Sequence, residues 1–171
     1  MSAELLTRRL RLMALPENQL KMCVDDTTKL AAEFGFPISE KIVDTPVIRA
    51  IAIKRAKMAV DTAHYLWYTY WLIVTKNNPV GIGLIGFKDH PDQNGSVEIG
   101  YGLDDGHWNQ GYMTEALTAM RDWAFTHIDC RTVVGVTVNN PASERVLQKC
   151  GAQKFAVEKD DTTWKIYKKV I

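Results

Sequence analysis

The chain has 171 residues, of which 46% are hydrophobic and 24% charged, and a formal net charge of +1. That length suits one domain with its own core, and the charge balance argues against a nucleic-acid surface or an anionic membrane patch. No run of about 18 apolar residues is present, so no helix is expected to span a bilayer.

The first twelve residues carry Arg8, Arg9 and Arg11 among apolar side chains and lack the unbroken apolar region of a signal peptide. Cys23, Cys130 and Cys150 are odd in number and far apart, which suggests reduced thiols, with Cys150 packed on a helix, rather than a disulfide framework. The four histidines show no metal-ligand spacing with Cys or carboxylates, so no metal is expected. Residues 1–171 therefore read as one domain of a cytoplasmic protein.

Thr7 to Leu15 alternates as a strand, and Pro16 suits the first turn of a helix. Glu17 to Ala63 reads as helical in two pieces, broken near Gly35-Phe36-Pro37, with Thr45-Pro46 as cap and first-turn proline of the second. Tyr68 to Thr75 and Val80 to Lys88 are expected strands joined by the turn Lys76-Asn77-Asn78-Pro79. Asp92-Gln93-Asn94-Gly95 turns into a strand from Ser96 to Leu103.

His107 to Ala116 is a short Gly-bearing turn opening a helix from Met113 to about Ile128. Met113, Ala116, Leu117, Met120, Trp123 and Ala124 form the apolar stripe of that helix. Thr132 to Val138 is a buried β-branched strand. Asn140 caps and Pro141 starts a further helix, with Ala142, Val146 and Cys150 on one side and Gly151 as its stop. Gln153 to Glu158 and Thr163 to Val170 finish the chain as strands around Asp160-Asp161.

Two glycine-bearing segments invite a functional reading. Gly81-Ile82-Gly83-Leu84-Ile85-Gly86 matches the dinucleotide fingerprint G-x-G-x-x-G, which needs its glycines where a strand turns into a helix. Here they lie inside an apolar run, and Lys88-Asp89-His90-Pro91-Asp92 cannot begin a long helix. A strand with close packing against its glycines is the expected structure, in place of a nicotinamide-dependent oxidoreductase. The turn before Met113 is different: a loop that opens a helix aims unpaired N–H groups and the positive end of the helix dipole at one point, a ready phosphate site.

Three segments, in this order and spacing, resemble the GNAT superfamily of acetyl-CoA-dependent N-acetyltransferases. They are Val97-Glu98-Ile99-Gly100-Tyr101, Trp108 to Ala116, and Asn140-Pro141-Ala142-Ser143 leading to Val146-Leu147 and Gly151-Ala152. The branch that acetylates the N-terminal alanine and serine of ribosomal proteins is the one resembled. The resemblance implies an α+β fold: a mixed, mostly antiparallel central sheet with a splayed parallel strand pair and helices on both faces. It also implies acetyl-CoA as co-substrate, a primary amine as acceptor, direct attack in a ternary complex, and an assembly compatible with a homodimer.

By the same resemblance, Trp108, Asn109, Gln110, Gly111, Tyr112, Met113 and Thr114 form the pyrophosphate loop. The family loop is written [QR]-x-x-G-x-[GA], and this chain departs from it with Trp108 first and Met113 last. The loop has no Lys or Arg, so backbone amides hold the phosphates, helped by the Thr114 hydroxyl unless that group only touches its own helix. N–H groups near Tyr101 and Leu103 would bind pantetheine and polarise the thioester, and Gly100 and Gly102 leave room for it or mark a bulge.

Asn140 is the expected helix cap, and the resemblance implies that the same position also contacts the cofactor, two compatible roles. Many relatives place a proton-donating tyrosine seven residues after that asparagine, where this chain has Leu147; Ser143 is then the nearest donor, or a plain helix serine. Glu98 is either the general base or an ordinary solvated glutamate. Arg145 and Lys149 either meet the 3′-phosphate of CoA or are solvated. Of Tyr65, Trp67, Tyr68, Tyr70 and Trp71, most are expected in the core or a subunit contact and one or two at the acceptor pocket. A non-catalytic acyl-CoA sensor on the same fold is the alternative function.

Overall fold

The computed structural model describes residues 3–169, so the last residue of the strand expected from Thr163 to Val170 lies outside the described residues. Its strands are β1 (Glu4–Leu6), β2 (Leu10–Ala14), β3 (Trp71–Thr75), β4 (Gly81–Phe87), β5 (Ser96–Leu103), β6 (Thr132–Val138), β7 (Gln153–Glu158) and β8 (Asp161–Tyr167). The α-helices are α1 (Glu17–Asp25), α2 (Thr27–Phe34), α3 (Thr45–Val60), α4 (Tyr65–Tyr68), α5 (Tyr112–Thr126) and α6 (Pro141–Lys149).

Helix boundaries reflect local chemistry. The Asp26 carboxylate accepts the N–H groups of Thr28 and Lys29 to start α2, and Gly35, at φ 75°, ends it. Asp44 caps α3 by accepting the Val47 N–H, with Pro46 in the first turn. Asn140 caps α6 through the Ser143 N–H, with Pro141 next. The first helical stretch is broken at Asp26 as well as at Gly35, because Asp26 is extended and its side chain caps α2.

One further expectation is corrected. The strand expected from Tyr68 begins at Trp71, because Tyr65–Tyr68 is a helical turn: Asp61 accepts the His64 N–H and the Tyr68 hydroxyl, and this local capping overrides the aromatic β-preference. β1 carries no sequence signal of its own; it forms because the Thr7 hydroxyl and N–H close a turn onto Leu10 and fold it back on β2.

The strands join in the order β1-β2-β3-β4-β5-β6-β8-β7. Every neighbouring pair is antiparallel except β5 with β6. That parallel ladder holds at Ser96↔Thr132, Val97↔Val133 and Glu98↔Val134 only. Beyond it β5 stays with β4 as far as Leu103, while β6 stays with β8 as far as Val138. The sheet therefore opens into a gap past Glu98.

The all-buried β3 is covered on both sides. Trp71 and Ile73 join Met113, Ala116, Leu117, Met120 and Ala124 of α5 in one core, and Leu72 and Val74 join Leu20, Leu30, Ile51 and Met58 of the α1–α3 layer in the other. The predicted stripe of α5 is the buried one, with Trp123 partly buried against Trp67 and Trp71. The glycine run forms β4, with no helix after it. A Cβ on Gly83 would stand 2.5 Å from the Gly102 carbonyl and one on Gly86 2.5 Å from that of Thr69, the close packing expected in place of a dinucleotide turn.

Candidate active site

The gap between β5 and β6 and the entrance to α5 lie on one continuous piece of chain, β5 followed by eight residues of loop. Val97 and Ile99 point into the α5 core, so Glu98, Gly100 and Gly102 alternate onto the opposite face. A Cβ on Gly100 or Gly102 would meet nothing within 4 Å, so the glycines give an open floor rather than a packed one. Tyr70 stands beside that floor, with its ring against the Cβ position of Gly86, the residue opposite Gly100.

The loop is built by its own contacts. Asp104, just after β5, accepts from the Ser39 hydroxyl and from the Gly106 N–H at 2.8 Å; the first and then the second hold its carboxyl well down, at about 2. The Trp108 indole donates to the Leu103 carbonyl at 2.8 Å, locking the loop to the strand. Asn109 (φ 58°) and Gly111 (φ 79°) are left-handed, and Gly111 is the N-cap of α5 with no side chain capping the first turn. The amides of that turn are therefore open to an anion. The buried His107 Nδ1 has no hydrogen-bond partner among the described residues.

Met113 is buried in the core, so only its backbone is placed to meet a ligand. Thr114 and Gly111 open into a cavity of about 740 Å³, shared with Thr7, Glu115, Thr118 and Lys149. Lys149 thus stands at the loop's cavity; Arg145 is not among the residues lining it. Uncapped amides, a left-handed glycine and an open glycine floor fit the diphosphate and pantetheine of an acyl-CoA.

Across the gap, the Ser143 N–H is held by Asn140 at 3.1 Å, and the Tyr101 phenol donates to the Ser143 carbonyl at 3.4 Å. Tyr101 therefore ties β5 to the start of α6, with burial pushing its phenol up to about 12. Leu147 is buried against Gly135 and fills core space, so it contributes neither a donor nor room for one. Glu98 sits at the last paired position of the parallel ladder, on the glycine face, with its carboxylate 2.5 Å from the Lys88 ammonium. Glu98 is thus a partly exposed, ion-paired carboxylate on the glycine face. Among the aromatic residues, Trp67 and Trp71 lie in the α5 core and Tyr68 and Tyr70 in the opposite one.

Two residues had no sequence signal. Arg9, in the β1–β2 turn, donates to the Gln110 carbonyl at 2.9 Å and to Glu115 at 2.7 Å, and stacks on the Tyr112 ring at 4.5 Å. Lys54 of α3 is buried, donating to the Phe87 carbonyl at 2.6 Å and lying 4.4 Å from the Tyr70 ring centroid. Burial, followed by the repulsion of Lys57 and Lys88, lowers its pKa to about 7. Among the described residues, no helix is long and apolar enough to cross a membrane, and no group of three or more His, Cys, Asp or Glu could hold a metal ion.

A family model described as acetyltransferase (GNAT) domain matches residues 21–153. An uncharacterized N-acetyltransferase of Bacillus subtilis, YjdG, is 28% identical over 149 residues, covering 85% of this chain and 86% of its own. A ribosomal-protein-serine acetyltransferase of Escherichia coli is 33% identical over 89 residues, 52% of this chain and 49% of its own. Among solved structures, a ribosomal L7/L12 alpha-N-protein acetyltransferase in complex with coenzyme A aligns with a TM-score of 0.67 at 19% identity, over 94% of this chain and 95% of that one. That similarity shows a shared fold.

Proposed function

We propose that this chain, which belongs to the acetyltransferase (GNAT) domain family, moves the acetyl group of acetyl-CoA onto a primary amine, best a peptide or protein N-terminus. The observation that carries this reading is the gap past Glu98 and Val134, placed directly upstream of an uncapped helix entrance. One end of the site suits a diphosphate and the other an extended thiol arm lying along β5.

The chemistry is a single displacement in a ternary complex. A neutral amine attacks the thioester carbonyl from the open face of Gly100 and Gly102. Backbone N–H groups near Tyr101 and Leu103 stabilise the oxyanion, and the tetrahedral adduct expels the CoA thiolate. Ser143, fixed by the Asn140 cap at the edge of the gap, supplies or relays the proton that the thiolate takes up. The attacking amine loses one proton to water or to Glu98.

Protonation energetics choose the amine. Freeing an α-amine of pKa about 8 at pH 7 costs roughly 1.4 kcal/mol, against about 4.6 kcal/mol for a lysine of pKa about 10.4. Glu98, the candidate base on the glycine face, is ion-paired to Lys88, which leaves it poorly suited to meet the larger cost. A ribosomal-protein-serine acetyltransferase among the relatives is in keeping with this choice.

Gly111→Asp places a carboxylate where the diphosphate sits, at a φ of 79° that L side chains rarely adopt. The expected result is CoA affinity weaker by at least about tenfold by calorimetry, roughly 1.4 kcal/mol, together with lost thiol release from acetyl-CoA and a free-amine peptide. Unchanged affinity in a folded variant would overturn the loop assignment. Tight wild-type binding without turnover on any amine would instead make the protein a sensor.

A further inference from the structure

The loop from Trp108 to Thr114 contains no charged side chain, yet two opposite charges stand at its edge. Glu115, in the first turn of α5, accepts three hydrogen bonds: from the Thr7 hydroxyl at 2.6 Å, the Arg9 N–H at 2.7 Å and Arg9 Nε at 2.7 Å. Arg9 Nη1 reaches past it to the Gln110 carbonyl at 2.9 Å. The guanidinium plane covers Tyr112, and Nη2 lies 3.3 Å from where a Gly111 Cβ would stand. No hydrogen bond of Nη2 is formed among the described residues. One arginine therefore touches Gln110, Tyr112 and Glu115 and stands beside Gly111, from a turn more than a hundred residues upstream in the chain.

We propose that Arg9 is a positioning residue for the diphosphate of the acyl-CoA: it fixes Gln110 and Tyr112 and neutralises Glu115, so the α5 amides meet the phosphates without an opposing carboxylate. This rests on reading Gln110 to Thr114 as the diphosphate loop. The arrangement also supplies the cation that the loop sequence lacks. Glu115 is only 18% exposed and shares the loop's cavity, so its charge is poorly screened from a ligand there. Burial pushes its carboxyl up, but the bonds from Thr7 and Arg9 outweigh this and hold it below the ordinary carboxylate value. It is therefore ionised at neutral pH, and without Arg9 it would repel the phosphates. Arginine suits this place because its planar fork serves a carboxylate and a carbonyl together, which a lysine ammonium cannot do in the same geometry.

The test is CoA binding by calorimetry and thiol release with two donors, acetyl-CoA and S-acetylpantetheine, the second of which has no diphosphate. Arg9→Ala should weaken CoA binding by about tenfold and raise the KM for acetyl-CoA with little change in kcat. Its kcat/KM for S-acetylpantetheine should match wild type, a separation that a merely structural role would not produce. Removing the stranded charge in Arg9→Ala/Glu115→Gln should restore most of the lost affinity. Arg9→Lys, which keeps a charge opposite Glu115, should fall between and carries the same test if Arg9→Ala does not fold. Wild-type CoA affinity in a folded Arg9→Ala, or an equal loss on both donors, would overturn the proposal alone. A wild-type protein that does not bind CoA would overturn the loop reading and the proposal with it.

Discussion

Lys54 carries a protonation cost that can be measured. Its amine is buried under Tyr70 with the Phe87 carbonyl as its acceptor, and its pKa falls from an ordinary 10.5 to about 7. Between those two values the unfolded chain holds a proton that the folded chain has released, so this residue makes stability rise with pH across the window. Lys54→Met removes that dependence. In urea unfolding at about pH 6.5 and pH 9.5, the variant should gain more stability over wild type at the lower pH than at the higher. A difference independent of pH would show that Lys54 stays charged in the fold. Ser143 is a residue-scale prediction of another kind. With Leu147 buried against Gly135, Ser143→Ala should lower kcat more than it raises the KM for acetyl-CoA. Full kcat in that variant would leave Ser143 as a helix residue only.

The elements around the site depend on two strands approaching unusually closely. Gly83 faces the Gly102 carbonyl and Leu103, so a methyl group there must push β4 and β5 apart at the wall of the gap. Gly83→Ala should cost about 1–3 kcal/mol, read as a lower denaturant midpoint at unchanged m-value. Wild-type stability would mean that β5 yields easily. Elements with a local signal were legible from the sequence: Asn140-Pro141 marks the start of α6, Gly35 the end of α2, and the β-branched run Thr132–Val138 is β6. Those fixed by distant partners were not. β1 exists only because Thr7 turns it onto β2, and α4 because Asp61 collects the His64 N–H and the Tyr68 hydroxyl.

Taken whole, the molecule is two antiparallel half-sheets joined by three parallel pairs. The half containing β3 is covered on both faces, whereas the other half leaves Val136, Val138, Phe155 and Tyr167 exposed. The gap, its glycine floor and the loop were all named from sequence, because three motifs sit in series on β5, α5 and α6. Their order carried the reading even where Trp108, Met113 and Leu147 depart from the family pattern. Arg9 and Lys54 were not legible, since neither has a local pattern and their partners, Glu115 and Phe87, lie 106 and 33 residues away. The proposed function carries one requirement: an acceptor amine that is neutral without a strong base. The decisive measurement is kcat/KM on two matched peptides, one with a free N-terminus and no lysine, the other N-blocked with a single internal lysine. The account predicts a preference for the free N-terminus of at least about tenfold near pH 7, given the roughly 3 kcal/mol difference in deprotonation cost. Preference for the blocked lysine peptide would contradict it and return Glu98 to the role of a tuned base.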